Sequence, residues 1–324
     1  MREGRVLIFE GAPGAGKSSL SQYVAERMKA SGEEPVWIEE HDLNDIWFDR
    51  LFQALDEKGD AVGAALECWR ALLVRIDEDQ KTYLLDGAYF HTALKSLLSY
   101  GYDIPAIEAY LAGLHRLFLP HEPILVHLTG DTSAILRSVI AERGALWAAN
   151  LAAEIAAYPR QHGGDDDEEA MIDFFVASQR ELAAFAQRYP FKVWTLDTTG
   201  RDWSSYQKSL ADWLDLDGPG ATESLAPATD LAEYVGIYQT PEFFPEAFRH
   251  PLTVELSENG LRLHTVFMRN FRLVPREADR FAIAGRPLQL DFVRDETGQI
   301  SGAIYPFVPD ERFFCARKSV SWQA

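Results

Sequence analysis

The sequence predicts an α/β domain followed by a separate antiparallel β-domain, and three observations carry that division. Short apolar strands alternate with helical segments through the first two-thirds of the chain. A run of turn formers, Asp217-Gly-Pro-Gly-Ala-Thr-Glu-Ser-Leu-Ala-Pro-Ala-Thr-Asp230, then reads as a linker. Beyond it come eight short β-patterned segments separated by turn signals. The expected bounds are 1–216 for the α/β domain, 217–230 for the linker and 231–324 for the β-domain. A chain of 324 residues has the length of about two ordinary domains.

In the first domain, Arg5–Glu10 is an apolar run ended by glycine, and a helix is expected from Lys17 to about Ala30. Pro35–Glu39 reads as a second strand, with helical periodicity through about Gln80. Thr82–Asp86, Pro123–Leu128 and Phe191–Leu196 read as strands three to five, and a last helix runs to about Leu216. Apolar strands separated by helices imply a parallel sheet covered on both faces. In the second domain the strands are Tyr234–Gln239, Leu252–Leu256, Leu261–Val266, Phe271–Val274, Phe281–Ala284, Leu288–Val293, Ile300–Tyr305 and Arg312–Ala316. Glu258-Asn-Gly260 and Asp295–Gly298 are hairpin turns between them, and the product is a small barrel or a curved sheet.

Composition narrows the function classes. Hydrophobic residues at 47% against charged residues at 25% exclude a disordered chain. The net charge is −19, and residues 231–324 carry 11 basic and 12 acidic side chains, so nearly all of the excess lies in the first 230. Such a chain is a poor partner for nucleic-acid phosphates or an anionic membrane. No apolar run reaches the roughly 20 residues needed to span a bilayer, and no signal peptide is expected at the start. Cys68 and Cys315 are too far apart to frame a disulfide or a zinc site; two buried thiols in a reducing cytoplasm are expected.

The sharpest motif is Gly11-Ala12-Pro13-Gly14-Ala15-Gly16-Lys17-Ser18, the Walker A pattern, placed between a strand and a helix. Glycines let backbone amides turn toward a phosphate chain, and the helix N-terminus adds partial positive charge. Lys17 then reaches the β- and γ-phosphates, and the Ser18 hydroxyl is a Mg²⁺ ligand. Asp86 closes the third strand at the sheet edge where ligands bind, so it is a second candidate for Mg²⁺ or, more plainly, a cap for the following helix.

The loop with its flanks, Phe9–Ser19, the strand end Leu85-Asp86-Gly87 and the arginine pair Arg137 and Arg143 resemble the nucleoside and nucleotide kinase-like P-loop family. That family includes deoxynucleoside kinases, thymidylate kinase and the chloramphenicol phosphotransferase. The resemblance spans about residues 5–216 and implies a five-stranded parallel sheet, ATP and Mg²⁺ as donor and metal, and a small-molecule phosphoryl acceptor. It also implies that an acid after the second strand takes the acceptor proton. Glu40 and Asp42 are the candidates, with His41 between them; Asp42 is equally a helix cap. Arg137 and Arg143 take the place of the family's lid arginines, and Gly144 is expected to end their helix. The loop Asp197–Trp203 lies where the family passes close to adenine, which makes Gly200 and Thr199 candidate contacts; Asp202 reads as a helix cap. One departure stands out: the family's Glu-Arg-Ser or Asp-Arg-Ser signature is replaced here by Asp86-Gly87-Ala88-Tyr89, which removes the support for an ordinary nucleoside substrate.

The acidic run His162–Glu169 reads as a capped helix entry or, more boldly, as part, with Glu39, Glu40 and Asp42, of an acidic mouth for a cationic substrate. In the second domain, Tyr234-Val-Gly-Ile-Tyr238 and the hairpins after it resemble small lipocalin-like β-domains, which implies an accessory role. Phe243-Phe244 and Phe313-Phe314 are expected in its core or in a domain contact, and a homodimer is a further expectation. The chemistry predicted is an ATP- and Mg²⁺-dependent kinase acting on a hydroxyl of a neutral or cationic metabolite, nucleoside-like or antibiotic-like. The alternatives are a nucleoside monophosphate kinase and a nucleotide-binding switch or scaffold.

Overall fold

A computed structural model describes residues 5–40, 43–155, 168–216, 230–243, 249–257, 260–265, 271–283, 289–308 and 311–318. The chain divides into two compact units, Met1–Gly218 and Pro219–Ala324. Residues 217–229 of the expected linker 217–230 and residues 162–167 of the acidic run lie outside the described residues.

In the first unit, β1 (Val6–Glu10), β2 (Val36–Ile38), β3 (Tyr83–Asp86), β4 (Ile124–Thr129) and β5 (Val193–Asp197) form one parallel sheet in the order β2-β3-β1-β4-β5. All five fall on the runs read from sequence; β1 and β3 are wholly buried at the centre of the sheet, while the edge strands β2 and β5 are half-exposed. Helices α1 (Lys17–Ala30), α2 (Asp49–Asp56), α3 (Ala61–Asp79), α4 (Lys95–Ser99), α5 (Ile104–Phe118), α6 (Thr132–Arg143), α7 (Ala145–Glu154), α8 (Glu168–Arg188) and α9 (Trp203–Leu214) connect and cover the strands. The helical stretch expected between β2 and Gln80 is broken into a π turn (Leu43–Trp47), α2 and α3. A second π turn, Ala88–Leu94, follows β3.

Side chains alternate along each strand, so the sheet has two distinct faces. Leu7, Phe9, Leu84, Val126 and Leu128 pack with Leu20 and Val24 of α1 and Leu210 and Leu214 of α9. Val6, Ile8, Leu85 and Leu125 pack on the other face, centred on Trp69. The Trp69 ring meets Phe48 and Phe118 edge-on, and its Nε1 donates to the Tyr110 hydroxyl at 2.8 Å. This face carries the π turn 88–94, every residue of which is buried. Truncation of Trp69 to Ala leaves a large void there, and urea unfolding should show the unit destabilised by about 3–5 kcal/mol.

The second unit is a closed antiparallel barrel of β6 (Gly236–Gln239), β7 (Leu252–Ser257), β8 (Gly260–His264), β9 (Phe271–Glu277), β10 (Arg280–Ile283), β11 (Gln289–Arg294), β12 (Ile300–Val308) and β13 (Glu311–Arg317). Tyr234, Tyr238, Phe271, Phe281 and Phe292 are buried in it, and mutual ring contacts link Tyr234, Tyr238, Phe281 and Phe292. A short 3₁₀ turn, Leu231–Tyr234, is tied to the barrel by Arg294, which bonds both Glu233 and Asp279. Of the two places expected for Phe243 and Phe314, core or domain contact, the core is corrected: both are exposed, Phe243 at 73%. Strand alternation turns Cys315 inward and so sends Phe314 out. Phe243 instead lies beside Phe313, with ring centroids 5.7 Å apart.

Candidate functional site

The first strand-to-helix turn places Lys17 at the start of α1 with its side chain folded back over the loop. Lys17 Nζ donates to the Gly11 carbonyl at 3.1 Å and approaches the Ala12 carbonyl at 3.4 Å. Gly14 and Gly16 take φ values of +83° and +98°, and neither has room for a side chain. A Cβ on Gly14 would lie 2.2 Å from Val139 Cγ2 of α6, and one on Gly16 would lie 2.4 Å from the Trp203 ring. The loop is therefore clamped between α6 and the start of α9.

Helix α1 starts without a side-chain cap, as do α2, α4 and α7. Helices α3, α5, α6 and α9 are each capped by an aspartate, respectively Asp60, Asp103, Asp131 and Asp202, accepting from a first-turn amide. Helix α1 has Gly16 at that position, no side-chain cap, no acid in its first turn and Lys17 as its first residue. A cation at the positive end of a helix opposes the helix dipole. An external anion at those amides would satisfy both features.

Asp86 ends β3 beside this turn. It is 1% exposed, and neither carboxylate oxygen has a hydrogen-bond partner among the described residues. Burial pushes its carboxyl from an ordinary 3.8 up to about 7, against the pull of the Lys17 charge and the nearby Ser18 hydroxyl; Glu40 and Glu39 push it further up. It does not cap the following turn, whose N-terminal residue Gly87 has no side-chain bond. A buried carboxylate with no hydrogen bond of normal geometry, beside a serine hydroxyl, suits a hard divalent cation, so Ser18 and Asp86 fit the Mg²⁺ role expected of them.

The structure adds residues that sequence reasoning passed over. Glu10, the one charged side chain in β1, is fully buried; it accepts from the Phe90 amide at 2.6 Å and meets His91 Nδ1 at 3.2 Å. The other ring nitrogen, Nε2, lies 3.5 Å from Lys17 Nζ. A carboxylate only accepts and an ammonium only donates, so the neutral Nδ1–H tautomer satisfies both contacts. Burial first, and the Lys17 charge second, hold His91 below the usual imidazole value, in keeping with a neutral ring. The ring also stacks on Phe175 of α8. Lys95, buried at the start of α4, pairs with Glu40 at 3.6 Å, and Glu39 is buried beside it in sequence. A lone acid closing an apolar strand was the signal for Glu10; nothing in the sequence marked His91 or Lys95.

The remaining expectations fall as follows. Glu40 stands near Asp86, whereas His41 and Asp42 lie outside the described residues. Arg137 makes a bidentate pair with Glu169 at 2.9 and 2.7 Å, and Arg143 lies over the Trp147 ring. Gly144 ends α6 with φ +90°. Asp202 caps α9, and the Thr199 hydroxyl accepts from the Asp131 amide. Gly200 sits next to the Tyr206 hydroxyl. Pro13, Ala15 and Ser19 complete the loop and first turn, with Ala15 N donating to Ala12 O at 3.0 Å. Both cysteines are free and buried. No described helix is long and apolar enough to cross a membrane.

No family model matches the chain, and no curated protein does. Solved structures with likeness include deoxyadenosine kinase from M. mycoides with bound dATP, 18% identical with a TM-score of 0.40, covering 65% of this chain and 99% of that one. The same enzyme with bound dCTP is 14% identical with a TM-score of 0.37, covering 65% and 98%. Thymidylate kinase from Ehrlichia chaffeensis is 11% identical with a TM-score of 0.38, covering 65% and 99%. At these scores the likeness adds nothing to the topology, and the α/β architecture rests on the strand order and the glycine loop themselves.

Because Asp86 is raised above its unfolded value, its ionisation costs stability. That cost is absent below pH 4, grows as pH rises and is complete above pH 7. Asp86→Asn should therefore raise the melting temperature at pH 8, by the equivalent of about 1–4 kcal/mol, with the gain shrinking toward pH 5. A loss at pH 8 would show the carboxylate to be paired, and a gain independent of pH would show its ionisation to be unlinked to folding.

Proposed function

We propose that the first unit is an ATP- and Mg²⁺-dependent phosphotransferase that moves the γ-phosphoryl group to a hydroxyl of a small neutral or cationic acceptor. The observation that carries this reading is the buried Asp86 carboxylate beside the Lys17 ammonium and the Ser18 hydroxyl at the start of α1. Loop amides and Lys17 would grip the triphosphate, which asks for positioning and charge rather than covalent chemistry. Ser18 and Asp86 would hold Mg²⁺, whose contribution when bound is to neutralise phosphate charge. Glu40 or Asp42 would orient or deprotonate the acceptor hydroxyl. Arg137 and Arg143, on leaving their present contacts, would stabilise charge on the transferring group. The acids Glu39, Glu40 and Asp86 disfavour an acceptor that already carries phosphate, which weighs against a nucleoside monophosphate.

A second reading is a nucleotide-dependent switch or scaffold acting through the barrel. The packing of Tyr234, Phe281 and Phe292 against one another inside the barrel favours it, since it points to contact with a partner as the barrel's use.

The deciding experiment is transfer from γ-labelled ATP with Mg²⁺ to a pooled panel of nucleosides, nucleotides and hydroxyl- or amino-bearing metabolites and antibiotics. A labelled product should appear and fall by about 100-fold or more in Lys17→Ala and in Asp86→Asn. Undiminished transfer in Lys17→Ala contradicts the kinase reading. Nucleotide binding without any labelled acceptor, in the presence of ATP or GTP, moves the assignment to the switch.

A further inference from the structure

The stretch Asp86-Gly87-Ala88-Tyr89, which departs from the kinase-like signature, opens the π turn Ala88–Leu94. Gly87 makes the entry to that turn possible. Its φ is +78°, and a Cβ there would lie 3.3 Å from both His91 Cβ and Glu40 Oε2. The Thr92 amide donates back to the Gly87 carbonyl at 3.0 Å and closes the turn. His91, 74 positions from Lys17 in the chain, is thereby brought beside its ammonium.

Lys17 is 7% exposed, and its ammonium has three N–H donors to place. Three acceptors lie within reach among the described residues: the Gly11 carbonyl at 3.1 Å, the Ala12 carbonyl at 3.4 Å and His91 Nε2 at 3.5 Å. The two carbonyls belong to the glycine loop itself, whereas His91 comes from outside it and is anchored on its far side. Glu10 Oε2 lies 3.2 Å from Nδ1, while Glu10 Oε1 accepts from the Phe90 amide at 2.6 Å. Glu10 and His91 are both buried, and the ring stacks on Phe175 of α8. A carboxylate facing Nδ1 requires the proton there, which leaves Nε2 as an acceptor for the lysine.

We propose that Glu10 and His91 are a positioning pair for Lys17: the ring, oriented by Glu10, keeps the ammonium at the glycine loop in readiness for the phosphates of a nucleotide. The inference rests on the reading of Lys17 as the phosphate-binding lysine, and it holds for a phosphotransferase and for a nucleotide switch alike. Without the ring nitrogen the desolvated ammonium lacks an acceptor and is drawn away from the loop toward water, so phosphate affinity falls. Glu10 acts one step further back, through the tautomer of His91.

The test is calorimetric titration of the full-length protein with adenylyl imidodiphosphate and Mg²⁺, the folding of each variant being checked by thermal melting. His91→Phe keeps a ring against Phe175 and removes the acceptor, and affinity should fall about tenfold. Glu10→Gln keeps the shape but reverses the demand on the ring. Its amide oxygen takes the Phe90 amide and its NH₂ group faces Nδ1, which puts the imidazole proton on Nε2, against the ammonium. Affinity should fall by a similar factor, and the double variant should bind no worse than His91→Phe alone. His91→Gln, whose side-chain amide donates to Glu10 and accepts from Lys17, should stay within about threefold of the unaltered protein. Nitrogen NMR of the unaltered protein, with His91 assigned by its loss in His91→Gln, should show a neutral ring protonated at Nδ1. Unchanged or tighter binding in His91→Phe, additive losses in the double variant, or a proton on Nε2 each overturns the proposal and leaves the Lys17 reading standing. Failure of the unaltered protein to bind the nucleotide at all overturns that reading and this one together.

Discussion

A lysine ammonium withdrawn from water has to be surrounded by acceptors or counter-charges, and Lys17 imposes that requirement on everything near it. Two loop carbonyls take part of its hydrogen-bonding capacity, and His91 faces it from across the site. Its charge pulls the Asp86 carboxyl down and helps hold His91 neutral. Glu10 then completes the arrangement from below by fixing the His91 ring and the Phe90 amide together. The π turn after β3 is thus bound to the end of β1, and the two halves of the site cannot shift independently. The same requirement accounts for the uncapped start of α1, because a cation and a helix N-terminus side by side invite an anion.

How much of this the sequence revealed depends on the range of each interaction. The five parallel strands were legible because each is a short apolar run with nothing to pair with but its neighbours, and the eight barrel strands because alternation and turn residues are local signals. Lys17, Ser18 and Asp86 were legible because motif and strand position are also local. His91 and Lys95 were not. His91 acts on Lys17 across 74 positions of chain, and an imidazole in a helical stretch carries no mark of its partner. Arg137 shows the converse: its sequence position suggested phosphate, whereas the fold supplies Glu169 from α8 as its present partner.

The division of charge follows the division of structure. The acidic excess belongs to the first 230 residues, and the barrel residues 231–324 are nearly neutral. In the first unit, acids at the ends of β1 and β3 and after β2 gather at the sheet edge where ligands of open α/β folds bind. The barrel engages its charges in ion pairs on its own strands, among them Arg280 and Arg312 with Asp291 and the Arg294 cluster that fastens its 3₁₀ turn. It devotes its interior to aromatic packing rather than to polar chemistry.

The most direct measurement is the affinity of a non-hydrolysable ATP analogue, titrated with and without Mg²⁺ at pH 6 and pH 8. If Asp86 is the metal acid of a nucleotide site, magnesium strengthens binding, and it does so more at pH 8, where the carboxylate raised to about 7 is ionised, than at pH 6. Affinity indifferent to magnesium at both pH values would contradict the assignment of Asp86 and, with it, the phosphotransferase built around Lys17.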